Sequence, residues 1–337
     1  MNPCPRPSPG PLKAFLALSL VLTACAPAGG AARDREDHTI RVAMNPYLSY
    51  APVLVANEEG YFRDEGLDVR LLMLGRSEQT LVAMLSGQAD VWPGTITPGF
   101  LRAIALGGGM KIVGDKGYLS AGGCTYVGVA LRKGLDPATA SASLRRFNHN
   151  REGASTYLAD RMLASRGVDL AALEFVTIPA EAMPGALADS ILDASASAEP
   201  FLSRATRAGT LWIRAQDVAP DYQWGVLTFG ARLLTERRDL GVRFLAAYRR
   251  GAAQANLGKT PHNLEVLSRA TSMTLDELRE SCWPTYHADG RIRLQDILDY
   301  QRWARAHELL DTVATPEQLY DSSFAVASDR LMKPGRN

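Results

Sequence analysis

Apolar and polar positions along the chain follow two periods, one typical of buried strands and one typical of amphipathic helices. In the first third of the chain these segments alternate as strand, helix, strand in the order TIRVAM, PVLVANEEG, LDVRLLML, SEQTLVAMLSG, ADVWPG, TPGFLRAIALGG and MKIVG. Alternation of this kind predicts a mainly parallel sheet with helices on its faces. The chain is therefore expected to have an α/β fold.

A second α/β set is predicted after the strand-like segment TYVGVALRK. It contains a helix from Ser155 to Arg166 and the strands LEFVTIP and LDASASA. The segment QWGVLTFGARLL would then return the chain to the first sheet, and the remainder is helical. This order predicts two lobes, with residues 38–128 and 226–330 in lobe 1, which is discontinuous, and residues 129–225 in lobe 2.

The first 24 residues have the pattern of a secretory signal peptide. Arg6 and Lys13 precede the apolar segment AFLALSLVL, which is shorter than a membrane-spanning helix requires. The following LTAC is similar to the lipobox of bacterial lipoproteins, in which cleavage before the cysteine leaves that residue lipidated. This pattern predicts a lipid on Cys25 and a flexible tether over residues 25–37. A chance cysteine after a small residue is the alternative.

Composition and cysteine spacing exclude several classes of function. The formal net charge of the 337 residues is +1, so no nucleic-acid surface is expected. Two of the four cysteines, Cys124 and Cys282, lie beyond the export region, and no CxxC or Cys/His cluster occurs. No metal or other cofactor is therefore predicted. The two cysteines could form a disulfide, or each could be a buried free thiol.

Several segments resemble those of one family, in the same order. They are YLSYAPVLVANEEGYFRDEGLDVRLLM, LVAMLSGQADV, KIVGDKG, SAEPF and VRFLAAYRRG. They are similar to the substrate-binding proteins of ABC importers for nitrate, sulfonate, taurine and pyrimidines, the NitT/TauT or SsuA-like group. The resemblance runs from Ile40 to Phe324, whereas LRRFNHNREGAST departs from the family pattern and leaves the contacts of lobe 2 open.

The resemblance implies a two-lobed periplasmic-binding-protein fold of type II with a ligand between the lobes. It also implies an ABC permease and its ATPase subunit as partners. With the export signals, it predicts a monomeric lipoprotein attached to the membrane on its periplasmic or extracytoplasmic face. Which membrane holds it is left open.

The candidate ligand contacts come from loops beyond the carboxyl ends of the predicted strands, where open α/β sheets bind ligands. The residues predicted to line the cleft are Asn45, Tyr47, Ser49, Tyr50, Arg76, Trp92, Thr95, Ser155, Thr156, Glu199 and Trp224. The aromatic rings and Glu199 favour a nitrogen heterocycle. Arg76 and the helix start at Ser155 would suit a sulfonate or similar anion. Packing, helix capping or surface exposure is the alternative role for each.

Catalysis is not expected. The five histidines fall outside the strand-end loops assigned above, and no G-x-S-x-G segment occurs. A cleft enzyme of the same fold acting on pyrimidine or thiamin precursors is one alternative, although the cysteine-rich motif of such enzymes is absent. A ligand-sensing lipoprotein that docks on a receptor is another. Asp115 and Lys116 follow a predicted strand and could edge the cleft, but an ion pair of neighbouring residues on a loop is the favoured interpretation.

Overall fold

The computed structural model describes residues 38–45, 47–74, 77–149, 154–271 and 273–332. The predicted signal peptide, the tether, Cys25 and Arg76 lie outside these residues. The strands are β1 Thr39–Met44, β2 Asp68–Met73, β3 Val91–Gly94, β4 Lys111–Asp115, β5 Tyr118–Leu119, β6 Val127–Arg132, β7 Arg146–Asn148, β8 Glu174–Phe175, β9 Ala194–Ala198, β10 Gly209–Arg214, β11 Tyr222–Gln223 and β12 Val226–Phe229.

Helices surround the sheets and form most of the carboxyl-terminal part of the chain. They are α1 Ala51–Glu58, α2 Tyr61–Asp64, α3 Ser77–Leu85, α4 Pro98–Ala105, α5 Ala140–Ser143, α6 Ala154–Ala164, α7 Met183–Ala188, α8 Phe201–Ala208, α9 Ala215–Val218, α10 Arg238–Ala255, α11 Pro261–Ala270, α12 Leu275–Glu280, α13 Leu294–Ala306, α14 Pro316–Leu319 and α15 Ser323–Met332. Single turns of 3-10 helix occupy Leu48–Tyr50, Leu170–Ala172 and Ala180–Ala182, and a π-helical turn occupies Arg232–Glu236.

The strands form two five-stranded sheets and a two-stranded ribbon. The first sheet has the order β2-β1-β3-β12-β4, the second β10-β6-β9-β7-β8, and the ribbon pairs β11 with β5. β1 pairs in parallel with β2 and β3, whereas β12 is antiparallel to β3 and β4. In the second sheet β7 is parallel to β8 and β9, while β6 is antiparallel to β9 and β10.

The predicted α/β class and the two mainly parallel sheets are confirmed: four of the five strands in each sheet run in one direction, whereas β12 in the first sheet and β6 in the second run the opposite way. Both sheets are mixed. The reason lies in the chain path: β12 enters the first sheet on its way back from the second and so runs against its neighbours. The lobe boundaries at 128/129 and 225/226 stay a prediction.

The first sheet is covered on both faces, as a sheet between two helical layers must be. Along β1 the side chains of Ile40, Val42, Ala43 and Met44 are all buried. Against this core α10 crosses α1 closely, because a Cβ at Gly251 would lie 2.2 Å from the backbone oxygen of Pro52. Close packing of this kind holds the loop after β1, which α1 follows directly, in a defined position.

Candidate functional site

A cavity of about 680 Å³ lies between the two sheets. Loops that follow β1, β3 and β4 line one wall, and residues on and after β7 and β9 line the other. Both sheets thus direct strand ends toward a shared space, as in other open α/β folds that bind small molecules. Its volume lies in the range of sites for small organic ligands.

Most of the residues predicted from sequence line this cavity. Those that the structure brings together there are Asn45, Tyr47, Ser49, Tyr50, Trp92, Thr95, Ser155 and Trp224. Thr156 is half-buried on α6 and does not line the cavity, and Arg76 lies outside the described residues. Lining a cavity is not evidence of binding, so the ligand roles of these residues stay a prediction.

Glu199 also lies away from the cavity, and the structure shows what its carboxylate does instead. Its oxygens accept hydrogen bonds from the backbone N–H of Ser203, the hydroxyl of Ser203 and the backbone N–H of Cys282, at 3.0, 2.7 and 2.9 Å. The side chain is buried, and the three hydrogen bonds engage both of its oxygens within the protein. The interpretation of Glu199 as a ligand acceptor is therefore corrected to a structural role at the start of α8.

The loop after β1 is held by its own side chains. Asn45 donates from Nδ2 to the carbonyl of Leu74 at 2.5 Å and accepts from the Tyr50 hydroxyl at 3.0 Å, which ties the ends of β1 and β2 together. Tyr47 precedes the 3-10 turn, and its ring meets the edge of Phe201 from the other wall, with centroids 5.7 Å apart. These aromatic residues therefore fix the shape of the cavity wall.

The wall formed by β3 depends on a glycine. The Trp92 indole is buried against Phe100, with ring centroids 5.5 Å apart, and it passes over Gly94. A Cβ at Gly94 would lie 2.2 Å from the indole ring, closer than real contacts allow. Glycine at this position therefore lets the tryptophan face lie flat along the cavity.

Lys116 lines the cavity directly after β4, and its role differs from the one expected from sequence. Its side chain is only 3% exposed, and Nζ lies 4.2 Å from the centroid of the Tyr50 ring. In the described part of the chain the ammonium has no hydrogen bond and no direct ion pair, so the predicted ion pair with Asp115 is wrong, although the Asp115 charge still acts on the amine. Burial lowers the pKa of Lys116 to about 7, although the charge of Asp115 opposes that shift.

Asp115 directs its carboxylate toward the chain crossings between the two sheets. Its oxygens accept from the backbone N–H groups of Gly117 and His287, both at 2.9 Å, and from Nε2 of Gln223 at 2.5 Å. Burial raises the pKa of Asp115 to about 7 in spite of these donors. Asp115 lies where the chain leaves the first sheet after β4, and Gln223 lies where it returns to that sheet before β12. Their hydrogen bond therefore joins the two connecting segments beside Lys116.

The second wall contains polar atoms that the fold leaves unpaired. Asn148 is 1% exposed; its Nδ2 donates to the carbonyl of Val176, whereas its Oδ1 has no partner among the described residues. The hydroxyl of Ser197 on β9 is likewise buried without a partner. An unpaired buried polar atom costs about 1–3 kcal/mol. A ligand in the cavity could offset that cost.

His149 lines the same wall, between the rings of Phe147 and Phe175. The expectation that every histidine falls outside the strand-end loops is therefore wrong for this residue. The missed signal was the short strand β7 inside the segment LRRFNHNREGAST, since His149 follows directly after that strand. The apolar residue of that strand, Phe147, is buried, as expected for a strand within a sheet.

Cys124 and Cys282 form a disulfide with Cα atoms 5.6 Å apart, which decides between the two alternatives left by the sequence. The bridge joins the segment before β6 to the end of α12 and so lies next to the Glu199 network. Within the described residues no group of three histidine, cysteine or acidic side chains is arranged to hold a metal ion. No helix in that part of the chain is both long and apolar enough to cross a membrane.

Solved structures with the same fold include binding proteins and an enzyme. The ligand-binding component of an ABC-type import system from Staphylococcus aureus superposes with a TM-score of 0.74 at 16% identity, covering 87% of this chain and 99% of that one. The aliphatic sulphonate binding protein SsuA from Escherichia coli superposes with a TM-score of 0.67 at 13% identity, covering 84% and 92%. The desulfurization enzyme DSZB superposes with a TM-score of 0.63 at 16% identity, covering 88% and 99%.

These similarities establish the periplasmic-binding-protein fold predicted from the sequence resemblance. No curated protein gives a significant sequence match to the chain. A family model does match, over residues 33–264, which is most of the chain and includes both sheets. The chain therefore belongs to the NMT1-like family.

Proposed function

We propose that this protein is the solute-binding component of an ABC importer, exported and lipid-anchored through Cys25, and that it captures a small organic molecule between its two sheets. The observation that carries the proposal is the cavity of about 680 Å³ lined from both sheets, with aromatic faces and unpaired buried polar atoms. The structural similarity to ABC-import binding proteins supports it.

Capture would proceed by a population shift between open and closed arrangements of the two sheets. A ligand that touches both walls at once has more contacts in the closed arrangement, and this difference in affinity drives closure. Tyr47 on one wall and Phe201 on the other already meet at the cavity. No covalent step is needed, and the permease and ATPase subunits would supply transport and energy.

The test is a thermal-shift screen of the purified protein against alkanesulfonates, arylsulfonates, pyrimidines, aromatic amines and nitrate. A hit is then measured by calorimetry with and without a chelator. We expect saturable binding at one site per chain, unaffected by the chelator, and no product after prolonged incubation. Unchanged affinity of the Trp92→Ala variant for the compound would show that the compound binds outside the cavity, and this would contradict the proposal.

Lipid attachment is tested separately. Mass spectrometry of the membrane-extracted protein should find a lipidated amino terminus at Cys25, and the Cys25→Ala variant should remain uncleaved or become soluble. A mature start downstream of Cys25 would contradict the lipoprotein part of the proposal and leave solute binding untouched.

A cleft enzyme is the second candidate function. The observation that favours it is Lys116, a buried amine in the cavity whose pKa of about 7 would leave much of it unprotonated and nucleophilic. The fold itself also serves the desulfurization enzyme DSZB. Product formation from any bound compound, abolished in Lys116→Met, would favour this candidate over solute binding.

A further inference from the structure

We infer that Lys116 determines which solutes bind, by pairing with the anionic group of a singly charged organic acid and taking up a proton as it does so. This inference rests on the proposed function and specifies the ligand class of the same cavity. Sequence patterns alone had left a nitrogen heterocycle and an anion as alternatives. The geometry around Lys116 favours the anion.

The first argument is the position of the amine. Lys116 follows β4 and lines the cavity, and its side chain is almost entirely buried while its ammonium forms no ion pair among the residues that the structure describes. The nearest carboxylate, that of Asp115, is engaged by Gly117, Gln223 and His287. A buried cation without a partner is costly, so a ligand anion at this point would stabilise both itself and the protein.

The second argument is the support beneath the amine. The Tyr50 ring lies 4.2 Å from Nζ, and the Tyr50 hydroxyl is held by Asn45. On the other side, a Cβ at Gly225 would lie 2.9 Å from Cδ of Lys116, so the returning strand leaves room only for the aliphatic stem. The amine is thus confined between a ring and a backbone segment, which limits the directions in which it can meet a ligand.

The third argument concerns charge balance. Among the described cavity-lining residues, Lys116 is the one lysine or arginine, and the carboxylates Glu78 and Glu181 lie on exposed positions. A single ammonium balances one negative charge, so a dianion would leave a second charge unpaired in a partly desolvated site. In addition, the unpaired Oδ1 of Asn148 can accept a hydrogen bond from a donor group on the ligand body.

The aromatic residues then define the remainder of the ligand. The aromatic residues Tyr47, Trp92 and Trp224 line the same cavity as Lys116. A carboxylate or sulfonate on a small planar body would place its charge at Lys116 and its apolar body along these rings. Nitrate would satisfy the charge and leave the rings without contact.

Proton uptake follows from the burial of the amine. Without ligand, burial lowers the pKa of Lys116 to about 7, and an adjacent anion raises it again. Above pH 7 binding must therefore add a proton, so affinity for an anion falls as pH rises through that value and is constant below it. Tyr50 and Tyr126 stay neutral in this range because burial raises the pKa of each.

Asp115 is a second group that titrates near Lys116, so its proton uptake must be distinguished from that of Lys116. Its pKa is about 7, with Asp289 contributing to the upward shift. An anion in the cavity would raise the pKa of Asp115 as well, which also takes up a proton. Variants at Lys116 resolve the two contributions, because the Asp115 contribution persists when the amine is removed.

The test is calorimetric titration of the intact protein with benzoate and benzenesulfonate, and with the neutral benzamide and benzenesulfonamide. Titrations at pH 8 are run in Tris and in triethanolamine at the same chloride concentration, because these two buffers differ in ionisation enthalpy and neither adds an organic acid. The expected result is binding of the acids with proton uptake, to which Lys116 contributes up to one proton in addition to the contribution of Asp115. Lys116→Met should lose at least tenfold in affinity for the acids and leave the amides unchanged.

Two further variants complete the design. Lys116→Arg keeps a charge that does not titrate and should bind the acids while losing the share of proton uptake that belongs to Lys116. Lys111→Met, on the same strand but bonded to the Glu317 carbonyl, should behave as the unmodified protein. If the Met variant fails to fold, proton uptake by the unmodified protein and its decrease in the Arg variant carry the test.

The inference and the proposed function can fail separately. The inference is overturned if the acids bind the Lys116→Met variant as tightly as they bind the unmodified protein. It is also overturned if the acids bind the unmodified protein without proton uptake. Amides or pyrimidines that bind where the acids do not also overturn it but leave solute binding intact. Turnover of any probe contradicts the proposed function itself.

Discussion

Among single residues, Lys116 combines a cost in stability with a suggested role in binding. The unfolded chain binds a proton on this lysine below pH 10.5, its ordinary pKa, whereas the folded chain binds it only below about 7. Between these values the unfolded state binds more protons, so the stability of the fold rises with pH. Replacing a buried charge by an apolar side chain of similar shape is often stabilising by about 1–4 kcal/mol.

Lys116→Met should therefore raise the free energy of unfolding by about 1–4 kcal/mol at pH 6. The gain should shrink as pH increases from 7 toward 10.5, because the native amine is then neutral. Urea unfolding at several pH values measures this difference, with Lys111→Met as the matched variant at an amine that is already hydrogen-bonded. A gain that does not vary with pH would mean that burial does not disfavour the Lys116 charge.

A substitution at Glu199 is expected to lower the free energy of unfolding, in contrast to the substitution at Lys116. Glu199→Gln replaces one acceptor oxygen with an NH₂ group, which would face the N–H of Ser203 or the donors of Ser203 and Cys282. We expect a loss of about 1–3 kcal/mol of stability by denaturant unfolding. Affinity for any ligand of the cavity should change less than twofold, since Glu199 does not line it. A large loss of affinity without loss of stability would restore Glu199 as a ligand contact.

These two residues also show how far sequence reasoning reached at the site. Strand-end positions after β1 and β3 were predictable, because alternating strands and helices place such loops at one edge of a sheet. Glu199 was misassigned because its donor Cys282 lies 83 positions away, and no local pattern reports that contact. Lys116 was misread because the engagement of Asp115 by Gln223 and His287 depends on the returning chain.

At the scale of elements, amphipathic segments and the prevailing strand direction were predictable, whereas the one reversed strand in each sheet was not. The first four strands and their helices are found where the apolar periodicity places them. β10 was missed because its apolar run, Leu211 to Ile213, is only three residues long, which is shorter than the run typical of a buried strand. The reversed strands β12 and β6 were missed because a strand's direction depends on where the chain enters the sheet, which local composition does not encode.

The disulfide is an element-scale constraint with a measurable effect. It joins residues 158 positions apart and anchors the end of α12 beside the crossing from the first sheet to the second. Cross-links over long loops typically contribute about 2–5 kcal/mol. The double variant Cys124→Ser, Cys282→Ser should lose that much stability, and reductant should destabilise the unmodified protein but have no further effect on the variant. Equal sensitivity of both to reductant would contradict the assignment.

At the scale of the whole molecule, contacts outside the cavity bring the two sheets together. Trp303 on α13 donates from its indole to Asp160 on α6 at 3.0 Å, and its ring lies 5.5 Å from that of Tyr157. α13 contacts α4 beside the first sheet, whereas α6 packs on β6 and β9 of the second. If the sheets open and close around a ligand, these contacts form only in the closed arrangement, and they add to its stability without touching the ligand.

Trp303→Ala should therefore weaken ligand binding although Trp303 does not line the cavity. Losing one aromatic pair and one hydrogen bond costs about 1–2 kcal/mol, or roughly five- to thirtyfold in affinity if the whole loss falls on the closed state. Calorimetry measures the affinity, and small-angle scattering should show a larger radius of gyration for the unliganded variant. The matched control is Trp283→Ala, whose indole donates locally to the Leu278 carbonyl. Equal effects of the two substitutions would show that Trp303 supports the fold in general, and that closure does not depend on the contact between α6 and α13.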